Sequence, residues 1–193
     1  WNGLSRYDLT KYDKWYWLRL RQFANLCDQK GLVMFNQNFY QHNIIEAGAH
    51  WVDFPWRSAN NINNTGFPEP PPYAGNKRIF MAELFYDVNN QVRRALHDRY
   101  IRQCLDSFAG QPNVIQFTSA EFTGPRRFVE FWLDTVAEWK REQPSTLGAA
   151  DVSPLPSSTE VNRADSRRRL LMVALSATKD VQDAILADRK RVT

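Results

Sequence analysis

Uncharged polar side chains are concentrated at residues 36–43, directly after the first short apolar run of the sequence. The segment reads Asn-Gln-Asn-Phe-Tyr-Gln-His-Asn, and six of its eight side chains carry an amide or an imidazole group. These groups form hydrogen bonds without a full charge, which suits a neutral ligand that carries many hydroxyls. We therefore expect Asn36, Asn38, His42 and Asn43 to bind such a ligand. The alternative is a network that only satisfies backbone groups of the loop.

A second group of candidate binding residues follows at residues 50–57, which read His-Trp-Val-Asp-Phe-Pro-Trp-Arg. Indole faces can stack on the apolar faces of sugar rings, and charged side chains can hold hydroxyls or carboxylates. The sequence therefore predicts a sugar subsite that includes His50, Trp51, Trp56 and Arg57. Each tryptophan has an alternative role in a small core within the loop.

One carboxylate, Glu121, directly follows a predicted strand over residues 113–118 and precedes a helix that begins near Pro125. A carboxylate at the carboxyl end of a parallel strand can serve as a general acid/base. Two simpler roles are open to Glu121: it can complement the dipole of the following helix, or pair with Arg126 or Arg127.

The elements that would position these side chains alternate between helix and strand. Apolar residues at spacings of three and four predict helices over residues 10–30, 90–109, from 125 onward and 178–188. Apolar runs predict strands over residues 32–35, 113–118 and 170–175, the first of them buried on both faces. The first helix is expected to bury Tyr12, Tyr16, Leu20, Phe23 and Cys27. Residues 36–87 show no sustained periodicity and predict a long loop.

Strands that alternate with helices are parallel and joined by right-handed crossovers. Two architectures meet this condition, a doubly wound sheet and a (β/α)₈ barrel. In both, ligands bind at the carboxyl ends of the strands, where the candidate residues lie. The sequence contains no glycine-rich phosphate-binding turn.

Residues 112–121, which read Pro-Asn-Val-Ile-Gln-Phe-Thr-Ser-Ala-Glu, resemble the fourth strand of the clan-A glycoside hydrolases. These enzymes are retaining glycosidases built on a TIM barrel, and their fourth strand leads into the pair Asn-Glu. The resemblance implies that Glu121 protonates the leaving glycosidic oxygen and then activates water. Ala120 departs from the family pattern, because the asparagine at that position contacts the sugar 2-hydroxyl.

The same resemblance implies that residues 1–193 are a single partial catalytic domain, an incomplete (β/α)₈ TIM barrel with a long loop after its first strand. The helix and strand over residues 10–35 would correspond to the second helix and third strand of eight. The catalytic nucleophile would then lie beyond Thr193, since a complete barrel needs roughly 250 residues. The fragment alone is therefore expected to be inactive.

Composition narrows the remaining possibilities. The net charge of +4 comes from dispersed basic residues, which argues against nucleic acid as a partner. No apolar run is long enough to span a membrane, and the three histidines are too scattered for a metal site. We therefore expect a carbohydrate substrate, no cofactor, and a secreted or periplasmic bacterial enzyme, although no signal peptide is present. The alternatives are a non-catalytic carbohydrate-binding barrel, which Ala120 favours, and a sugar-active lyase.

Overall fold

The computed structural model describes residues 6–40, 51–69, 78–143 and 171–191, with the side chains of residues 78–81 left aside. Within these ranges the chain forms five helices: α1 (Lys14–Gln29), α2 (Arg78–Phe85), α3 (Gln91–Ser107), α4 (Arg126–Glu142) and α5 (Lys179–Ala187). Three strands complete the fold: β1 (Met34–Gln37), β2 (Val114–Phe117) and β3 (Met172–Val173). No helix within the described ranges is long and apolar enough to cross a lipid bilayer.

The strands form one parallel sheet in the order β1-β2-β3. The register places Met34 beside Val114 and Gln37 beside Phe117, while β3 pairs Met172 with Ile115. The prediction of parallel strands alternating with helices is confirmed. The prediction of an incomplete (β/α)₈ TIM barrel is wrong, because the described residues form a small open sheet of three strands. In the described part of the chain, β1 and β3 each pair with β2 alone.

Helix α1 differs from the sequence prediction in two ways. It begins later, and different side chains face the core. The Asp13 carboxylate caps it by accepting hydrogen bonds from the backbone N–H groups of Trp15 and Tyr16. Its buried side chains are Trp17, Ala24 and Cys27. Of the predicted inner face, Cys27 is buried and Leu20 is partly buried, whereas Tyr16 and Phe23 are exposed.

Strand β1 is buried on one face only, which corrects the prediction of a strand buried on both. Val114 of β2 packs with Ala24, Phe108 and the partly buried Met34 on the helix side of the sheet. On the opposite side, Phe35 is exposed, and among the described aromatic rings it contacts only that of Phe117, with the two ring planes nearly perpendicular. The described part of the chain therefore leaves Phe35 largely uncovered.

The main core is unusually rich in rings and lies between the sheet edge, α2, α3 and α4. Its centre, called here the aromatic core, consists of Phe39, Phe85, Tyr86, His97 and Phe128. The rings of Tyr86 and Phe128 lie 4.5 Å apart between centroids, and those of Phe85 and His97 lie 4.7 Å apart. Helix α2, which ends at Phe85 directly before Tyr86, lies within the segment predicted to be a loop.

Candidate functional site

Two of the predicted binding residues meet in a buried hydrogen-bond network at the carboxyl ends of β1 and β2. The Asn36 and Asn38 amides donate to the same side-chain oxygen of Gln116, at 2.7 Å and 3.0 Å. The Asn38 oxygen accepts from the indole N–H of Trp132 on α4 at 2.8 Å. All four side chains are buried. The network therefore fixes the ends of both strands against α4, and sugar binding by Asn36 and Asn38 stays a prediction.

The segment 51–69 brings Trp51 and Arg57 to one carboxylate. The Trp51 indole N–H donates to Glu69 at 3.0 Å, and the Arg57 guanidinium contacts the other oxygen of that carboxylate at 2.8 Å. These contacts, chiefly the Arg57 hydrogen bond, hold the pKa of Glu69 below its ordinary value. Trp51 also packs against Phe54 and Phe67, so it lies in a small loop core.

Trp56 follows a different path and joins the aromatic core to the surface. Its ring stacks on the His97 ring with centroids 4.6 Å apart and planes 23° apart. His97 is fully buried, and its Nε2 lies 2.7 Å from the carbonyl oxygen of Phe85. Burial lowers the pKa of His97 to about 3, and the nearby Arg93 charge acts in the same direction. His97 is therefore a neutral, aromatic support for Trp56 at physiological pH.

A cleft of about 310 Å³ lies beside Trp56 at the carboxyl end of β1. One wall is the segment 7–13 that precedes α1, and the other includes Asn38, Tyr40 and Pro55. Eight aromatic side chains line it: Tyr7, Tyr12, Phe39, Tyr40, Phe54, Trp56, Phe85 and Tyr100. The cleft therefore presents an apolar surface with tyrosine hydroxyls.

Hydrogen bonds tie the segment before α1 to the loop 51–69, which carries Pro55 and Trp56 of the cleft lining. The Tyr7 N–H donates to the Asn60 carbonyl oxygen at 2.7 Å, and the Tyr7 carbonyl accepts from the Ile62 N–H at 3.0 Å. Two residues further on, the Leu9 N–H donates to the Asn63 side-chain oxygen at 2.8 Å. The segment before α1 is thus held in place by the loop that carries Trp56.

The charged side chains that line the cleft are engaged by neighbouring groups. Asp8 accepts hydrogen bonds from the Thr10 hydroxyl and backbone N–H, and lies 3.2 Å from the Lys11 ammonium. These contacts, led by the Thr10 hydroxyl, lower the pKa of Asp8 well below its ordinary value. The Asp13 carboxylate caps α1. The lining carboxylates therefore stabilise local structure.

Glu121 lies outside this cleft, in an exposed turn after β2. Its φ of +48° is in the left-handed region, which side chains other than glycine rarely adopt. The turn lies between buried residues, since Ser119 and Phe122 are both nearly inaccessible to solvent. A Cβ on Gly124 would lie only 2.4 Å from the Phe122 ring and 2.6 Å from the Tyr86 ring, so the chain is closely packed just after the turn. The Glu121 side chain itself is exposed.

The predicted residues are only partly brought together. Asn38 and Trp56 line the cleft, whereas Asn36 lies in the network below it. His42, Asn43 and His50 lie outside the described residues. The sequence analysis did not predict that residues 7–13 line the cleft. The available signal was the pair Tyr7 and Tyr12 shortly before Asp13, the N-cap of α1.

The described residues offer no group of three or more His, Cys, Asp or Glu side chains that could hold a metal ion. Both cysteines are free thiols buried on helices. Burial raises the pKa of Cys104 to about 12, so this thiol is protonated and unreactive near neutral pH.

A comparison with protein families matches most of the chain. The family model described as "Domain of unknown function (DUF6298)" matches residues 1–152. No curated protein and no solved structure shows significant similarity to the chain. Because the family model covers most of the 193 residues, the chain belongs to the DUF6298 family.

Proposed function

We propose that the protein is a glycoside hydrolase that acts on a poly- or oligosaccharide, with Glu121 as the general acid/base. The observation that carries this proposal is the position of Glu121. It is an exposed carboxylate in a left-handed turn at the carboxyl end of the central strand.

The left-handed backbone of Glu121 argues for a functional role of its side chain. A non-glycine residue in this region costs on the order of 1–2 kcal/mol, and glycine would relieve that cost. Glutamate has none of the local hydrogen-bonding advantage that makes asparagine common in such turns. The charge and reach of the carboxylate therefore offer a reason for its presence.

In the proposed reaction, Glu121 donates its proton to the glycosidic oxygen as the bond to the sugar breaks. The carboxylate then removes a proton from the water that releases the product. A retaining reaction also needs a nucleophilic carboxylate about 5 Å away. We assign that nucleophile to no residue of this chain.

One observation favours a second candidate, a carbohydrate-binding protein without hydrolytic activity. Glu121 is not among the residues that line the aromatic cleft. Of the two lining carboxylates, Asp8 is bonded to Thr10 and Lys11, and Asp13 caps α1. Binding in this cleft therefore requires no bond cleavage.

The substitution Glu121→Gln in the full-length gene product tests the proposed role. Hydrolysis is assayed on a set of neutral and acidic polysaccharides, and the released reducing ends are measured. Loss of a general acid/base is expected to lower turnover by about 100- to 10,000-fold. The loss should be smaller for an activated nitrophenyl glycoside, because its leaving group needs no protonation.

Glu83→Gln is the matched control, since Glu83 is an exposed glutamate on α2. It should retain full turnover. Turnover by Glu121→Gln close to that of the unaltered protein would falsify the catalytic role. Saccharide binding by the unaltered protein without any cleavage would favour the second candidate.

A further inference from the structure

We propose that the aromatic cleft binds an oligosaccharide that contains uronic acid, and that Arg99, beside the lining residue Tyr12, holds a carboxylate of this ligand. The inference rests on the proposed function in one respect, that the ligand is a carbohydrate. It does not depend on cleavage of a glycosidic bond or on Glu121.

Arg99 supplies a cation beside the cleft. It is an exposed residue of α3, directly before Tyr100, which lines the cleft. Burial raises the pKa of the Tyr12 hydroxyl, another lining group, to about 12, and the Arg99 guanidinium beside it acts against this rise. Within the described part of the chain no carboxylate forms a salt bridge with Arg99, since the neighbouring Asp98 pairs with Arg102. The guanidinium therefore has donors left for a ligand carboxylate.

A second cation, Lys11, lines the cleft itself, and its side chain is 83% exposed. Its ammonium lies 3.2 Å from Asp8, and a salt bridge at the surface contributes little stability. Asp8 keeps the Thr10 hydroxyl and backbone N–H as donors when Lys11 turns to a ligand. The other lining carboxylate, Asp13, accepts backbone N–H groups of α1. The acidic groups of the cleft thus have donors from the chain, whereas its cations retain donors for a ligand.

The cleft also offers a ring to a sugar. Tyr7 lines it and is 43% exposed, and its backbone is fixed by hydrogen bonds to Asn60 and Ile62. Tyrosine combines an apolar ring face with a hydroxyl at its tip, so it can stack on the C–H face of a sugar and bond to its hydroxyls. A uronic acid has both features that the cleft can recognise, an apolar ring face and a carboxylate.

The inner part of the cleft is preformed. Phe39 packs edge-on against Phe85 and is in ring contact with Tyr100, and all three residues line the cleft. Trp56 is held by its stack on the buried His97 ring. The volume of about 310 Å³ is at the lower end of the range for small-ligand pockets. A preformed surface reduces the ordering cost of binding.

The charge of the ligand should decide its affinity. A carboxylate that enters a ring-lined cleft loses water, and only a charge-assisted hydrogen bond offsets that loss. The planar fork of the Arg99 guanidinium matches the two oxygens of a carboxylate. Binding should therefore weaken when the carboxylate is esterified and when salt screens the two charges.

The 193-residue chain is titrated by calorimetry with hexagalacturonate, hexamannuronate and hexaguluronate as acidic probes, and with the methyl ester of each as its neutral counterpart. We expect at least one acidic probe to bind at least about tenfold more tightly than its ester, with a preference that decreases as the salt concentration is raised. Tighter or equal binding of the esters would overturn the inference, as would no binding of any acidic probe. Ferulic acid represents the phenolic acids, and a higher affinity for it than for every uronate would also overturn the inference.

Arg99→Gln should weaken binding of the acidic probe by about tenfold and leave binding of its ester unchanged, because it removes the charge alone. Arg99→Lys keeps the charge and should retain part of the affinity. Arg141→Gln is the matched control: Arg141 is also an exposed arginine, but it lies in the last turn of α4, which contributes no lining residue. Unchanged binding by Arg99→Gln, or an equal loss for probe and ester, would reject the role of Arg99.

Tyr7→Ala locates the ligand in the cleft. It should weaken binding of the acidic probe and of its ester alike, by about tenfold, because it removes a stacking ring. Phe23→Ala is the matched control, since Phe23 is an exposed ring on α1 that does not line the cleft. Binding by Tyr7→Ala equal to that of the unaltered chain would show that the ligand binds elsewhere.

Glu121→Gln distinguishes failure of this inference from failure of the proposed function. The variant should bind the acidic probe as tightly as the unaltered chain. Uronate binding that depends on Arg99, with no hydrolysis by the full-length protein, rejects the proposed function and supports the acidic-sugar site. Hydrolysis that depends on Glu121, with no loss of uronate binding in Arg99→Gln, does the reverse.

Discussion

Two aromatic-rich regions of this chain differ in how well they are covered. In the aromatic core, rings from the end of β1, α2, α3 and α4 enclose one another, and His97 is completely inaccessible to solvent. On the outer face of α1, defined by Trp15, Leu18, Phe23 and Leu26, at least half of each side chain is exposed. Ring content alone therefore does not identify a core, since burial depends on a second layer facing the rings.

A second set of exposed apolar side chains follows α1 in sequence. Leu32, Val33 and Phe35 are more than half exposed, and Phe35 lies on the face of the sheet opposite to α1. The comparison predicts that similar substitutions will have very different effects on stability in the two regions.

The largest difference is expected between Phe128→Ala and Phe23→Ala. Phe128 is fully buried, so its truncation should lower the free energy of unfolding by about 3–5 kcal/mol. Phe23→Ala should change it by less than about 0.5 kcal/mol, because an exposed ring loses little on truncation. Urea denaturation followed by tryptophan fluorescence measures both. Similar losses in the two variants would show that the outer face of α1 is covered in solution.

The buried His97 in the aromatic core predicts that the free energy of unfolding depends on pH. Its folded-state pKa of about 3 lies below the value near 6.5 expected for the unfolded chain, so protonation favours unfolding. Its contribution is fully present above pH 6.5 and is lost as the pH falls toward 3. The free energy of unfolding should fall by roughly 1.4 kcal/mol per pH unit in this range from this group. His97→Leu should reduce that slope, and an unchanged slope would contradict the assignment.

Asn38 and Asn25 provide a smaller contrast between a buried and an exposed hydrogen bond. Asn38→Ala leaves the buried Trp132 indole N–H without its acceptor and should cost about 1–3 kcal/mol of stability. Asn25 accepts a hydrogen bond from Gln111 at the surface, where water can replace it. Asn25→Ala should therefore be nearly neutral in the same denaturation experiment, and an equal cost would show that burial does not decide the difference.

The smallest expected effect is at Glu121. Glu121→Gly should raise the free energy of unfolding by up to about 1 kcal/mol, because glycine adopts a φ of +48° without strain. Glu121→Ala removes the same carboxylate but retains a Cβ, so it should give no such gain. Calorimetric melting of the two variants makes the comparison. Equal stabilities would indicate that the backbone at this position is not strained.

The sequence correctly predicted the helices that have only one apolar face. Helices α3 and α4 lie within a few residues of their predicted ranges, because each has one apolar stripe. Helix α1 is apolar on both sides: its spacing predicts a buried face with Tyr16 and Phe23, whereas the structure buries Trp17 and Ala24. Periodicity locates a helix but cannot choose between two apolar faces.

The site was less predictable, because long-range pairing determines it. Asn36 and Asn38 were both predicted to follow the first strand, but Asn36 lies within β1 and only Asn38 follows it. Their shared partner Gln116 lies about eighty residues away. The cleft wall at residues 7–13 depends likewise on the distant Asn60 and Asn63. No local sequence pattern specifies partners so far apart. The polar residues at the strand end could therefore be predicted from the sequence, but the hydrogen bonds that they form could not.

The hydrogen bonds between the segment before α1 and the loop that carries Trp56 have a kinetic consequence. Because Tyr7 and Leu9 anchor one wall to the other, the cleft cannot widen without breaking several bonds at once. Separation of these two described segments is therefore not a step in ligand entry. Differences in affinity among ligands would then arise mainly from their residence times.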